Sequence, residues 1–238
     1  MAGMRRVLKL PDARELSFAA AGEFTRAVSA VKKGKINVAL SGGNTPKSFH
    51  KVIVEKLASR IPWDRVHVYW GDERCVPPDH PDSNYKMAME TLLSHVPVPP
   101  PNIHRIPVEE NDPASAYQST LTKVMGDMPR FDWIFLGLGP DGHTASLFPG
   151  TPAVSETTKL VTDGYMAAKQ SRRITFTLPL INAAAKVAFV ISGADKADMA
   201  ASILENPPTA AHPASLVSPA QGELLWLLDR DAASRLKA

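Results

Sequence analysis

Short apolar runs alternate along this chain with longer stretches whose apolar residues return every three or four positions. Ile36-Asn37-Val38-Ala39-Leu40 is a compact run that predicts a buried strand. Residues 46–60 follow with Phe49, Val52, Ile53 and Leu57 on one helical face. Pro46 suits the first turn of that helix and Thr45 its N-cap. Val66-His67-Val68-Tyr69-Trp70 predicts the next strand, and residues 83–96 a helix capped by Ser83 or Asp82. The same patterns predict strands over 103–108, 132–138 and 186–192, and helices over 113–125 and 195–204. Strand–helix alternation of this kind specifies an α/β fold, a mostly parallel sheet with helices on both faces. Residues 159–178 break the rhythm, with β-like runs around 164–171 and at Thr175-Phe176-Thr177. They predict a small antiparallel edge or an appended layer. The Pro-rich stretches at 96–101 and 206–208 are short, and the alternation resumes after each, so one domain over 1–238 is expected.

Composition changes this picture little. Hydrophobic residues make up 44% of the 238 and charged residues 21%, enough for a sizeable core and against disorder. The net charge is +3, with 27 Lys and Arg against 24 Asp and Glu and no long basic run. A nucleic-acid partner is therefore not expected, while a local basic pocket for a small anion remains open. Cys75 is the single cysteine, so no intramolecular disulfide and no Cys-rich metal site can form. The first residues lack the apolar core of a signal peptide, and no apolar run reaches spanning length. A cytoplasmic protein without membrane contact is the expectation.

Ligands of open parallel sheets bind beyond the carboxyl ends of the strands, so the strand-terminal loops carry the candidate chemistry. Ser41-Gly42-Gly43-Asn44-Thr45 joins a strand to a helix start. Two glycines let the backbone present its N–H groups, and the helix dipole adds positive potential, a seat suited to phosphate. The loop is neither a P-loop, lacking GK[ST], nor a dinucleotide fingerprint. Gly71-Asp72-Glu73-Arg74 ends another strand; Arg74 could meet a carboxylate, phosphate or oxyanion, with Asp72 and Glu73 orienting it or contacting hydroxyls. A solvated charge run is the alternative. Pro140-Asp141-Gly142-His143 follows the apolar run 133–138. His143 is a natural general base, and Asp141 could fix its tautomer or contact substrate; a capping Asp beside an incidental His is the plainer alternative. Lys196 stands in the first turn of a helix, where a cation opposes the dipole unless an anion is bound. Of Arg172 and Arg173, one is expected at the surface.

Taken in order, segments 40–46, 71–84, 136–150, 173–184, 193–197 and 226–232 resemble the 6-phosphogluconolactonase family, over nearly the whole chain. The resemblance extends to a wider group that includes glucosamine-6-phosphate deaminases. It implies a Rossmann-like fold with the site at the strand ends, and hydrolysis of a sugar-phosphate δ-lactone without metal or cofactor. By that resemblance Ser41, Gly42, Gly43, Asn44 and Thr45 cradle the phosphate with Arg173 and Lys196. His143 activates water, Asp141 sits beside it as an orienting or substrate-binding acid, and Arg74 lies near the carbonyl; Asp72 stays a candidate substrate contact on its charge and position. Family members often carry a small hydroxyl residue where Asn44 stands. The deaminases carry a catalytic glutamate where Phe148 stands in Ser146-Leu147-Phe148-Pro149-Gly150. Phe148 cannot relay a proton, which favours a hydrolase over a deaminase. A sugar-phosphate-binding protein without chemistry is the other alternative. The resemblance leaves protein partners and oligomeric state open.

Overall fold

The buried runs pair into one parallel sheet, and the broken segment folds into a second, smaller one. The computed structural model describes residues 4–166 and 171–237. Among them are strands β1 (Met4–Leu10), β2 (Ile36–Leu40), β3 (Val66–Trp70), β4 (Asp72–Arg74) and β5 (Trp133–Leu136). Four more follow: β6 (Val161–Met166), β7 (Ser171–Phe176), β8 (Lys186–Ile191) and β9 (Glu223–Asp229). The helices are α1 (Ala13–Ala30), α2 (Asn44–Val52), α3 (Asn84–Thr91), α4 (Pro113–Met125), α5 (Leu178–Asn182) and α6 (Ala197–Glu205). The large sheet is parallel with strand order β1-β9-β8-β5-β2-β3; the small one is antiparallel with order β4-β7-β6. After β2 the chain runs outward to β3 and later returns to β5 on the other flank of β2. The strand order therefore reverses between β2 and β5, and a crevice opens at their carboxyl ends.

Aromatic side chains fill the space between sheet and helices. Phe49 of α2 stacks on Phe135 of β5 at 4.7 Å, and Phe24 of α1 meets Trp133 and Phe135 at 5.8 and 5.3 Å. Phe189 and Trp226 stack at 4.1 Å between β8 and β9. All six are at most 2% exposed, and burying each such side chain contributes on the order of 1.5–3 kcal/mol.

Several boundaries differ from the periodicity. The helix expected over 46–60 starts at Asn44 and stays α-helical only to Val52. It continues as a π turn (Ile53–Leu57) and a 3-10 turn (Ala58–Arg60), beginning in the β-branched run Val52-Ile53-Val54. Gly43, not Thr45, is its N-cap. Ser83 caps α3 by accepting from the Lys86 N–H at 3.1 Å, and α3 closes at Thr91 with a 3-10 turn at Leu93–His95. The strand expected over 103–108 is a single bridge from Val68 to Ile103. Pro99, Pro100, Pro101 and Pro107 bracket it and offer no N–H for a longer ladder. The helix expected at 195 begins at Ala197, after a 3-10 turn at Ala194–Lys196. Asp72-Glu73-Arg74 is strand rather than loop. The runs around 164–171 and 175–177 lie largely in β6 and β7; residues 167–170 fall outside the described residues. Elements β1, α1, α5 and β9 lie outside the expected pattern. The α1 stripe Leu16, Ala20, Phe24 and Val28 is largely small or widely spaced, and β1 is an edge strand with Arg5, Arg6 and Lys9.

His50 of α2 is fully buried. Its Nδ1 lies 2.8 Å from Thr91 Oγ1, whose proton goes to the Met87 carbonyl, while Nε2 has no partner among the described residues. Burial lowers its pKa from 6.5 to about 3. The unfolded chain therefore binds a proton that the folded chain refuses between those values. The stabilisation from neutral His50 is complete above about pH 6.5 and is lost as pH falls through about 3. His50→Leu should flatten the loss of stability between about pH 6.5 and 5 by up to ~1.4 kcal/mol per pH unit. Urea midpoints at both pH values read it; parallel slopes for the two proteins would refute it.

Candidate active site

The loop that leaves β2 is shaped by what glycine omits. Gly43 has φ +102, the left-handed region that side chains disfavour. A Cβ on Gly42 would lie 1.9 Å from Asn84 Oδ1, so Asn84 fills the space the glycine vacates. Among the described residues no side chain caps the N-terminus of α2, which leaves its first N–H groups for an incoming anion.

The loop that leaves β5 turns tightly. Gly142, at φ +82, donates its N–H to the Gly139 carbonyl at 3.1 Å, and the Gly139 N–H donates to the His143 carbonyl at 2.9 Å. Asp141 Oδ1 accepts from the His143 backbone N–H at 3.1 Å and sits 2.5 Å from its Nδ1. A carboxylate there selects the Nδ1–H tautomer and leaves the lone pair on Nε2. Partial burial pushes the Asp141 carboxyl up, but the ring and backbone N–H bonds from His143 outweigh it and hold its pKa below the usual range. Gly139 makes room for the ring, since a Cβ there would lie 2.0 Å from Nδ1. The opposite constraint is Phe148, 4.6 Å away and buried.

The small sheet brings the cations. Arg74 and Arg173 are directly opposed across β4 and β7. Like charges so placed destabilise a sheet unless an anion lies between them. Arg173 is buried, lies 3.8 Å from Asp72, and holds its guanidinium 5.8 Å over the Phe148 ring; burial lowers its pKa. Arg74 donates from Nη1 to the Asp82 carbonyl at 2.5 Å. Arg172 points to the other face of β7 and pairs with Asp163 at 2.6 Å, so of the two neighbours Arg173 reaches the site. Lys196 pairs with Asp195 at 3.0 Å.

These pieces surround one cavity of about 270 Å³. Ser41, Gly42, Gly43, Asp72, Arg74, His143, Arg173 and Lys196 all line it. A second lobe of about 370 Å³ shares Ser41, Gly42, Gly43 and Lys196 and adds Asn44 and Thr45. Asp141 is not among the residues that line the cavity and reaches it only through the imidazole it holds. Asp72 reaches the wall with both oxygens engaged: Ser146 Oγ donates to Oδ2 at 2.7 Å and Asn84 Nδ2 lies 3.4 Å from Oδ1. Glu73 faces away. It accepts from the N–H groups of Arg74, Asn84 and Tyr85 and from Ser83 Oγ, seating the start of α3, while burial raises its pKa. Cys75 is half-buried, and desolvation raises its pKa. Asn84 also lines the cavity. It opens α3, and only the space that Gly42 leaves open places its side chain here. Among the described residues no group of three His, Cys, Asp or Glu could hold a metal, and no helix is long and apolar enough to cross a membrane.

A family model described as glucosamine-6-phosphate isomerases/6-phosphogluconolactonase matches residues 11–226. A 6-phosphogluconolactonase of Nostoc sp. is 44% identical over 223 residues, covering 89% of this chain and 90% of the relative. The crystal structure of a protein called devB superposes with a TM-score of 0.91 at 32% identity, over 98% of this chain and all of that one. The 6-phosphogluconolactonase of Trypanosoma brucei superposes with a TM-score of 0.86 at 26% identity, over the full length of both chains.

Proposed function

The chain belongs to the family of glucosamine-6-phosphate isomerases and 6-phosphogluconolactonases, and on that premise we propose that it hydrolyses 6-phospho-D-glucono-1,5-lactone to 6-phospho-D-gluconate. This is the second step of the oxidative pentose phosphate pathway, here assigned to the cytoplasm. The partner is a small anionic lactone rather than a nucleic acid. One observation carries the reading: an imidazole held by a carboxylate shares a cavity with an uncapped glycine loop and three cationic side chains.

A δ-lactone is an activated ester. His143 takes a proton from water as the water oxygen bonds to C1, and the carbonyl electrons move onto oxygen. Arg74 stabilises that oxyanion. Collapse breaks the bond from C1 to the ring oxygen, and the imidazolium returns its proton to the departing oxygen. The glycine loop, Lys196 and Arg173 hold the phosphate at the far end. Phe148 supports this reading over amine release, because it packs against His143 where a proton relay would have to stand.

Lys196→Ala should raise KM for the phosphorylated lactone about 10- to 100-fold, the usual worth of one charged hydrogen bond, with little change in kcat. Unphosphorylated gluconolactone should be turned over by both proteins alike. Equal losses on both lactones would remove Lys196 from the phosphate seat. Lactone consumption by the purified protein, measured above the spontaneous rate, tests the activity itself, and ammonia release from glucosamine 6-phosphate tests the deaminase.

A further inference from the structure

Ser146 lies three residues after His143 and is completely buried. Its Oγ donates to Asp72 Oδ2 at 2.7 Å, and its backbone N–H donates to Thr175 Oγ1 at 3.1 Å. Its carbonyl presses on Gly164 so closely that a Cβ there would lie 2.7 Å away. Asp72 belongs to β4, Thr175 to β7 and Gly164 to β6. One residue therefore touches every strand of the small sheet. That sheet carries Arg74 and Arg173, while the loop holding Ser146 carries His143. The base and the cations stand on different layers of the molecule, and this contact joins them. Between them Ala145 sits at φ 48, a conformation that residues with a side chain rarely adopt, so its surroundings hold the turn against its own preference.

We propose that Ser146 is a positioning residue that fixes the separation of the His143 imidazole from Arg74 and Arg173 without touching substrate; this rests on the lactonase reading above. The groups that grip the sugar phosphate have anchors of their own. Lys196 is held by Asp195, the glycine loop by β2 and α2, and Arg173 by the ladder between β4 and β7 and by the Phe148 face; Arg74, which meets the oxyanion, is held by the Asp82 carbonyl. Loss of the Ser146 hydroxyl leaves those anchors intact but frees the loop that aims the base. The rate falls, and the affinity does not.

Ser146→Ala should lower kcat about 10- to 100-fold, the cost of a misplacement of about 1 Å. Titration calorimetry with 6-phosphogluconate should still give full stoichiometry and a Kd within about threefold of the parent protein. Thr175→Val removes the acceptor for the Ser146 N–H, together with the hydroxyl's own bond to the Phe176 carbonyl, and leaves Ser146 itself in place, so it keeps the idea testable even where Ser146→Ala does not fold. It should show the same split at smaller size, and the two losses should not add in the double variant. Unchanged kcat in a folded variant overturns the proposal, as does a Kd that weakens in step with kcat. A parent protein that binds 6-phosphogluconate yet hydrolyses no lactone would instead overturn the lactonase reading, and this inference with it.

Discussion

Replacing His143 by alanine should cut kcat for the phosphorylated lactone by about 10²–10⁴-fold, the usual contribution of a positioned general base, while product affinity stays close to the parent value. The reasoning is geometric. His143 is the imidazole that lines the cavity, and Asp141 at 2.5 Å fixes its tautomer. In the proposed mechanism the phosphate is gripped by the glycine loop, Arg173 and Lys196, which stand on other elements than the loop that carries His143. The variant should therefore bind normally and turn over slowly. His143→Gln, which keeps polarity but cannot take up a proton near neutrality, should be as slow as alanine. Near-normal turnover in either variant would remove the base from this mechanism and transfer the role to another side chain of the wall.

Arg74→Ala should cost about 10²–10³ in kcat, the typical loss when one oxyanion donor is removed. Arg74 is fixed through Nη1 to the Asp82 carbonyl, and its buried Nε–H has no acceptor among the described residues. A buried donor left unpaired is costly, and an acceptor that arrives with the substrate relieves that cost. Arg74→Lys should recover little, since an ammonium cannot reproduce the planar fork that meets both the carbonyl and the oxyanion. Steady-state kinetics on the three proteins would decide. A large rise in KM with kcat preserved would make Arg74 a phosphate ligand and leave the oxyanion to Arg173.

Much of the site was legible as local chemistry. The glycine loop at 41–45, the Asp-Gly-His turn at 141–143 and Lys196 announce themselves because backbone freedom, imidazole basicity and a cation at a helix start are properties of a few neighbouring residues. The strands at Ile36–Leu40 and Val66–Trp70 were equally plain, being short apolar runs bounded by turns. Asn84 was not legible as part of the site, because its value depends on Gly42, which is far away in sequence. Nor was the choice between Arg172 and Arg173, which the alternation of one strand decides only once its partner and facing layer are known. Asp72 carries a charge beside a strand end and so reads as a substrate contact; it lines the cavity, and its second part, holding loops together through Ser146 and Asn84, was not legible.

The sequence by itself determined which segments fold as strands and helices, and which loops hold groups able to seat a phosphate or move a proton. Those properties arise within a few residues, from periodicity, glycine freedom and side-chain basicity. The tertiary structure alone decided that these loops meet. Pairing β2 with β5 on one flank as well as with its sequential neighbour β3 on the other, and laying β4 and β7 against each other, brings residues 41–45, 74, 143, 173 and 196 to one crevice. Strand order is set by the packing of whole elements across the sheet, a long-range balance that no short pattern along the chain encodes.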